Sequence, residues 1–149
     1  MPKRHTTICT LGLLLGISLS VAAQSASPLP RVQVTPDQLQ WTRNPNGIEQ
    51  VVIVGDPTKA GIYTMRLNFP KGLKVQPHMH PDPRVAVVLS GTMYFAFGES
   101  FDEAALKAMP TGSTWTEVPN SAHFAYAKDG DVVVQVVGLG PTASTPVVK

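Results

Sequence analysis

Eight short runs rich in Val, Tyr, Phe, Trp and Thr, each closed by turn-forming residues, constrain this chain more than any other feature. They span Gln50–Val54, Tyr63–Asn68, Leu73–Gln76, Val85–Leu89, Thr92–Phe97, Thr114–Val118, His123–Ala127 and Asp131–Leu139. Between them stand Asp56-Pro57, Pro70-Lys71-Gly72, Ser90-Gly91 and Lys128-Asp129-Gly130, residues that preset or tolerate turn backbone. Phe101–Met109 (FDEAALKAM) is the one helical stretch, closed by Pro110 and Gly112. Its opening Asp102-Glu103 pair suits the positive end of a helix. Many short strands with regular turns predict an all-β sandwich or barrel, not alternating strands and helices. No linker divides the chain, so it reads as a single domain over residues 49–149, preceded by an irregular arm over residues 24–48.

The first residues have a different character. Lys3 and Arg4 precede an uncharged apolar run, Ile8–Val21, which ends in the small residues Ala22-Ala23. That order describes a secretory signal peptide over residues 1–23. The run is shorter than the about 20 apolar residues a bilayer span needs, so no span is expected once it is cleaved. The sole cysteine, Cys9, leaves with it, and the mature chain has no disulfide to rely on in a periplasmic or secreted setting. Loss of Lys3 and Arg4 leaves ten basic residues against ten acidic ones. With no basic patch and no phosphate-cradling glycine loop, nucleic-acid binding is not expected.

Every histidine outside that leader lies in one of two short segments. His78 and His80, two apart in extended chain, project to the same side. Two imidazoles on one face are half of a transition-metal site, although a bare pair of this spacing also occurs as solvent-facing histidines. The frame around them is more specific. Gly72, His78, His80, Arg84 and Gly91 resemble the first motif of the cupin family in spacing. Gly112 to His123 (GSTWTEVPNSAH) resembles the second, with Pro119 displaced by one place and Asn120 where the family carries glycine. Asn tolerates a left-handed backbone best among residues with a side chain. The resemblance covers about Gln50 to Gly140, and small secreted single-domain cupins of bacteria are the nearest in kind. It implies a jelly-roll-like β-barrel with His78, His80 and His123 converging on one divalent transition metal, Fe, Zn, Mn, Ni or Cu. It also implies a small-molecule ligand and a homodimer.

The chain departs from that pattern at Arg84, where metal-binding cupins usually place the glutamate that joins three histidines. A guanidinium has no lone pair to offer a metal. Three arrangements remain open. The histidines form a three-ligand set with open positions, as in some iron-dependent thiol dioxygenases of the superfamily. Alternatively Asp82 supplies a substitute oxygen, or the metal is lost and Arg84 holds an anion. The first predicts an oxygenase-like enzyme in which Arg84 orients an anionic substrate; the last predicts a non-catalytic binding or sensing module. Tyr94 and Trp115 are candidates for the pocket lining beside Arg84. Met79, Phe124 and Tyr126, of the opposite parity to the histidines, are expected to face away.

Overall fold

The computed structural model describes residues 29–148, so the leader expected at residues 1–23 lies outside the described residues. The strands are β1 (Thr42–Arg43), β2 (Glu49–Val54), β3 (Gly61–Phe69), β4 (Lys74–Met79), β5 (Arg84–Ser90), β6 (Thr92–Phe97), β7 (Lys107–Pro110), β8 (Thr114–Glu117), β9 (His123–Tyr126), β10 (Val132–Gly140) and β11 (Thr145–Pro146). They form a six-stranded sheet, β1-β2-β3-β10-β5-β8, and a five-stranded sheet, β11-β4-β9-β6-β7, with every pairing antiparallel. The inner faces of both contribute to one core. Met65, Phe69, Val88, Val134 and Val136 come from the first sheet, and Met93, Phe95 and Ala125 from the second. Among the described residues no helix is long and apolar enough to cross a membrane.

β10 shows why this sequence makes strands. Val132, Val134 and Val136 alternate inward with outward Val133, Gln135 and Val137, and the strand pairs with β3 on one side and β5 on the other. Burying each inward valine contributes about 1.5–3 kcal/mol relative to leaving it in water. Gly138 continues the inward series, and only a missing side chain fits there. A Cβ would lie 2.4 Å from the ring of Tyr63, which is fully buried on β3 opposite it.

Two expectations from the sequence change. The helical stretch Phe101–Met109 contracts to a single 3-10 turn at Glu103–Ala105, whose backbone is capped by Asp102 accepting from the Ala104 N–H at 2.9 Å. The rest of it becomes β7, with Met93 opposite Met109 and Tyr94 opposite Ala108. An isolated helix this short cannot recover its nucleation cost, whereas the free edge of β6 offers ready backbone partners. The second change is at the arm, where β1 pairs with β2 through the turn Asn44–Gly47 and Ile48 enters the core. Residues 42–48 thus sit on the sheet edge.

The turns hold as their residues suggested. Asn120 adopts φ +58°, and its N–H bonds the carbonyl of His80 at 2.7 Å. Gly91 turns β5 into β6 at φ +79°, and a Cβ there would come within 2.5 Å of the Asp131 carbonyl oxygen. Gly91→Ala therefore combines left-handed strain with a backbone clash and should cost about 2 kcal/mol or more. Urea unfolding of the two proteins measures it; equal midpoints would contradict this account of the turn.

Candidate metal centre

β4 carries His78, and its extended backbone runs on to place His80 on the same side. β9 carries His123 directly opposite His78 in the strand register. The β4–β9 ladder is irregular between Val75 and His78, where Gln76 and Pro77 interrupt it, and Pro77 has no N–H to donate. The three imidazoles meet ring to ring, with centroids 4.4 Å apart for His78–His123, 4.9 Å for His78–His80 and 5.3 Å for His80–His123. One ligand nitrogen from each lies within 4.8 Å of the others.

Backbone carbonyls fix which nitrogen faces inward. The Nδ1 of His78 reaches the Gln76 carbonyl at 2.8 Å, that of His80 the Ala143 carbonyl at 2.6 Å, and that of His123 the Ser121 carbonyl at 3.1 Å. A carbonyl only accepts, so each Nδ1 carries the proton and each Nε2 keeps its lone pair. Burial lowers the pKa of all three rings. In His80 desolvation, followed by the Arg84 charge, takes it down to about 4. All three are neutral at pH 7, the form that binds metal.

The carboxylate missing from position 84 arrives on a neighbouring strand. Glu117 of β8 is the register partner of Arg84 on β5, and the two side chains form an ion pair between the sheets, each more than nine-tenths buried. Glu117 Oε2 lies 3.8 Å from His80 Nε2 and 3.7 Å from His123 Nε2, while Oε1 accepts a hydrogen bond from Trp115 Nε1 at 3.1 Å. Burial alone would push this carboxyl up. Arg84, then His123 and His80, outweigh that and hold it below the usual carboxylate range. His80 Nε2 is buried without a hydrogen-bond partner, whereas Glu117 Oε2 is the oxygen that meets the Arg84 guanidinium. Buried polar atoms are seldom left without a partner. Imidazole lone pairs turned toward one spot fit a divalent transition metal held by His78, His80 and His123, with the Arg84-bound Glu117 beside it.

The site borders a cavity of about 540 Å³ between the sheets. Protein interiors rarely leave voids larger than a water, so a hollow of this size is the candidate binding site. Arg84 and Trp115 line it as expected. Tyr94 does not. On β6 the inward parity belongs to Met93 and Phe95, so Tyr94 faces outward and its hydroxyl donates to Asp129 at 2.6 Å. Asp82 is also excluded as a ligand, because its carboxylate accepts from Tyr63 at 2.7 Å and from Thr142 at 2.5 Å, on the far side of the turn. That network anchors the C-terminal segment. Its Ala143 carbonyl orients His80, and β11 pairs with His78 and Met79. Met79 is absent from the lining, and Phe124 packs outward against Phe101. The residue the sequence reading missed is Glu117. Its signal was present: a buried Arg84 demands a counter-charge, and Trp115 and Glu117 share one face of β8.

Two outcomes follow. In metal-free protein the unfolded histidines bind protons near pH 6.5 and the folded ones resist, so the unfolded state gains more protons as pH falls. Stability should be complete above about pH 6.5 and drop toward the His80 value of about 4, with Glu117 adding loss in the same direction lower still. Thermal midpoints at pH 7.5, 5.5 and 4.5 check the slope, and a flat or inverted profile refutes it. Glu117→Gln leaves the Arg84 guanidinium buried without a counter-charge, which should cost about 3 kcal/mol, whereas Glu117→Leu with Arg84→Leu should cost less. Denaturant titration of the wild type and both variants decides, and a double variant worse than the single would contradict the pairing.

The ChrR cupin-like domain family matches residues 30–141. No curated protein matches the chain. Among solved structures it is similar to an RmlC-like cupin from Shewanella frigidimarina NCIMB 400, with a TM-score of 0.60 and 14% identity over 75% of this chain and 94% of that one. The polyketide cyclase RemF from Streptomyces resistomycificus aligns with a TM-score of 0.64 and 13% identity over 80% of this chain and 87% of its own. A predicted oxalate decarboxylase from Thermotoga maritima aligns with a TM-score of 0.59 and 16% identity over 72% and 97%. Identities this low speak for the fold alone. With the two-sheet fold, both histidine segments and the match over most of its length, the chain belongs to the ChrR cupin-like domain family of the cupin superfamily.

Proposed function

We propose that this protein is an exported, metal-dependent enzyme of oxygenase-like chemistry that acts on a small molecule. The observation that carries the reading is the set of three neutral imidazoles, each pinned through Nδ1 to a backbone carbonyl, with their free nitrogens bordering one large cavity. A divalent transition metal there, Fe, Zn, Mn, Ni or Cu, supplies Lewis acidity or a redox couple. The chain's own groups do the rest. Arg84 pairs with Oε2 and keeps Glu117 ionised, and Trp115 donates to Oε1, so the carboxylate is fixed beside the histidines as a hydrogen-bond acceptor for a substrate or water. The apolar cavity walls limit bulk water. RemF is a cyclase and the Thermotoga maritima protein a predicted decarboxylase, so the fold accommodates catalysis, but neither lends its reaction to this chain.

The other reading, a non-catalytic module that captures an anion through Arg84, is the weaker because that guanidinium is already ion-paired with Glu117. Export follows from the leader over residues 1–23, and a homodimer is the expected assembly.

One preparation tests these points together. Expressed with its leader and recovered from the periplasm or medium without chelator or nickel resin, the chain should begin at Gln24. It should sediment as two copies and carry about one equivalent of a single transition metal by plasma mass spectrometry. The His123→Ala variant should lose the metal. Failure to retain or take up any of the five metals would remove the enzyme reading; an uncleaved leader or a monomer would remove only export or dimerisation.

A further inference from the structure

Resting on the metal-site reading above, we infer that the ligand is a small molecule with a metal-binding head and an uncharged, apolar body that fills the chamber beyond the metal. Strand register sorts the inward side chains into layers. Arg84 pairs with Glu117 at the level of the histidines, followed by Met65, Val136, Ala86 and Trp115, and then by Leu67, Val134 and Val88. The buried ion pair is therefore confined to one level, and past it the chamber continues between mostly apolar walls, with Gln50 beside Leu67 as a polar member of the third layer.

One wall is flat. Phe95 stacks on Trp115 with centroids 4.7 Å apart and planes 29° from parallel, and its ring lies 5.6 Å from that of His123. Aromatic side chains packed on one another thus run from the histidines into the chamber and add apolar surface to its wall.

Away from the metal, charge decides against a charged group on the body of the ligand. Besides the histidines, the charged residues lining the chamber are Lys74, Arg84 and Glu117. Arg84 and Glu117 neutralise each other, and exposed Lys74 is ion-paired with Glu103. No lining cation stands without an acidic partner, so a charged body would surrender its hydration to apolar walls without compensation.

Four hydroxamic acids test this on purified metal-loaded protein by calorimetry, because they share one chelating head, neutral in free solution and losing one proton to buffer on the metal. Acetohydroxamic, benzohydroxamic and 2-naphthohydroxamic acids enlarge the apolar body, and 4-carboxybenzohydroxamic acid adds a charge. The expected result is affinity rising by about 30-fold or more from the acetyl to the naphthyl compound. The carboxylate should bind about tenfold or more weaker than its parent. Leu67→Gln, which places an amide in the wall, should weaken the naphthyl compound more than the acetyl one. In parallel, the uncharged fluorophore N-phenyl-1-naphthylamine is titrated into metal-free protein, where the chamber alone should bind it. Equal affinity along the series, or tighter binding of the carboxylate, with metal retained, overturns the inference and leaves the metal site standing. Fluorophore binding without metal retention sinks the metal reading while upholding an uncharged apolar body; failure of both overturns this inference as well.

Discussion

Arg84 and Glu117 face each other across β5 and β8, each more than nine-tenths buried between the two sheets. Neither charge is tolerable there alone. The desolvation cost of a lone buried ion runs to several kcal/mol, and the pair exists because each relieves the other. Its consequences spread through the site. Arg84 depresses the neighbouring His80 and keeps Glu117 ionised despite burial. A residue that looks like a lost metal ligand is instead half of a relocated carboxylate.

The histidines depend on backbone more than on other side chains. Gln76, Ser121 and Ala143 each contribute only a carbonyl, so their identities carry no trace of the role. The longest-range of these contacts comes from the C-terminal segment. That segment is tied down by Thr142 on Asp82, by Tyr63 on the same carboxylate, and by the pairing of β11 with β4. Asp82 thus serves the centre at one remove, holding the chain that orients His80.

Core and cavity are built from the same residues. Met65, Phe69, Met93, Phe95, Val134 and Val136 belong both to the hydrophobic cluster and to the lining of the hollow. A sandwich normally fills the space between its sheets with interdigitated side chains. Here the space is left open beside a line of polar groups, and the fold retains enough burial along β3, β10 and β5 to stand around it.

Much of this was legible in advance. Period-two alternation and turn residues marked eight of the eleven strands closely enough to define an all-β chain, and motif spacing brought His78, His80 and His123 to one place. The turn at Asn120 followed from its own backbone tolerance. These are local properties: parity, turn chemistry and spacing depend on neighbours in the chain. The helical stretch misled because its alanines favour a helix that one free strand edge outcompeted. Which strand lies beside which, and in what register, is not local. Register alone set Glu117 against Arg84, turned Tyr94 outward to Asp129, drew Asp82 away to Tyr63 and Thr142, and brought the Ala143 carbonyl to His80. The sequence by itself determined a β-fold and three histidines in reach of one another. The tertiary structure decided what surrounds them, because hydrogen-bonded ladders between distant strands, not proximity along the chain, choose the partners of buried charge.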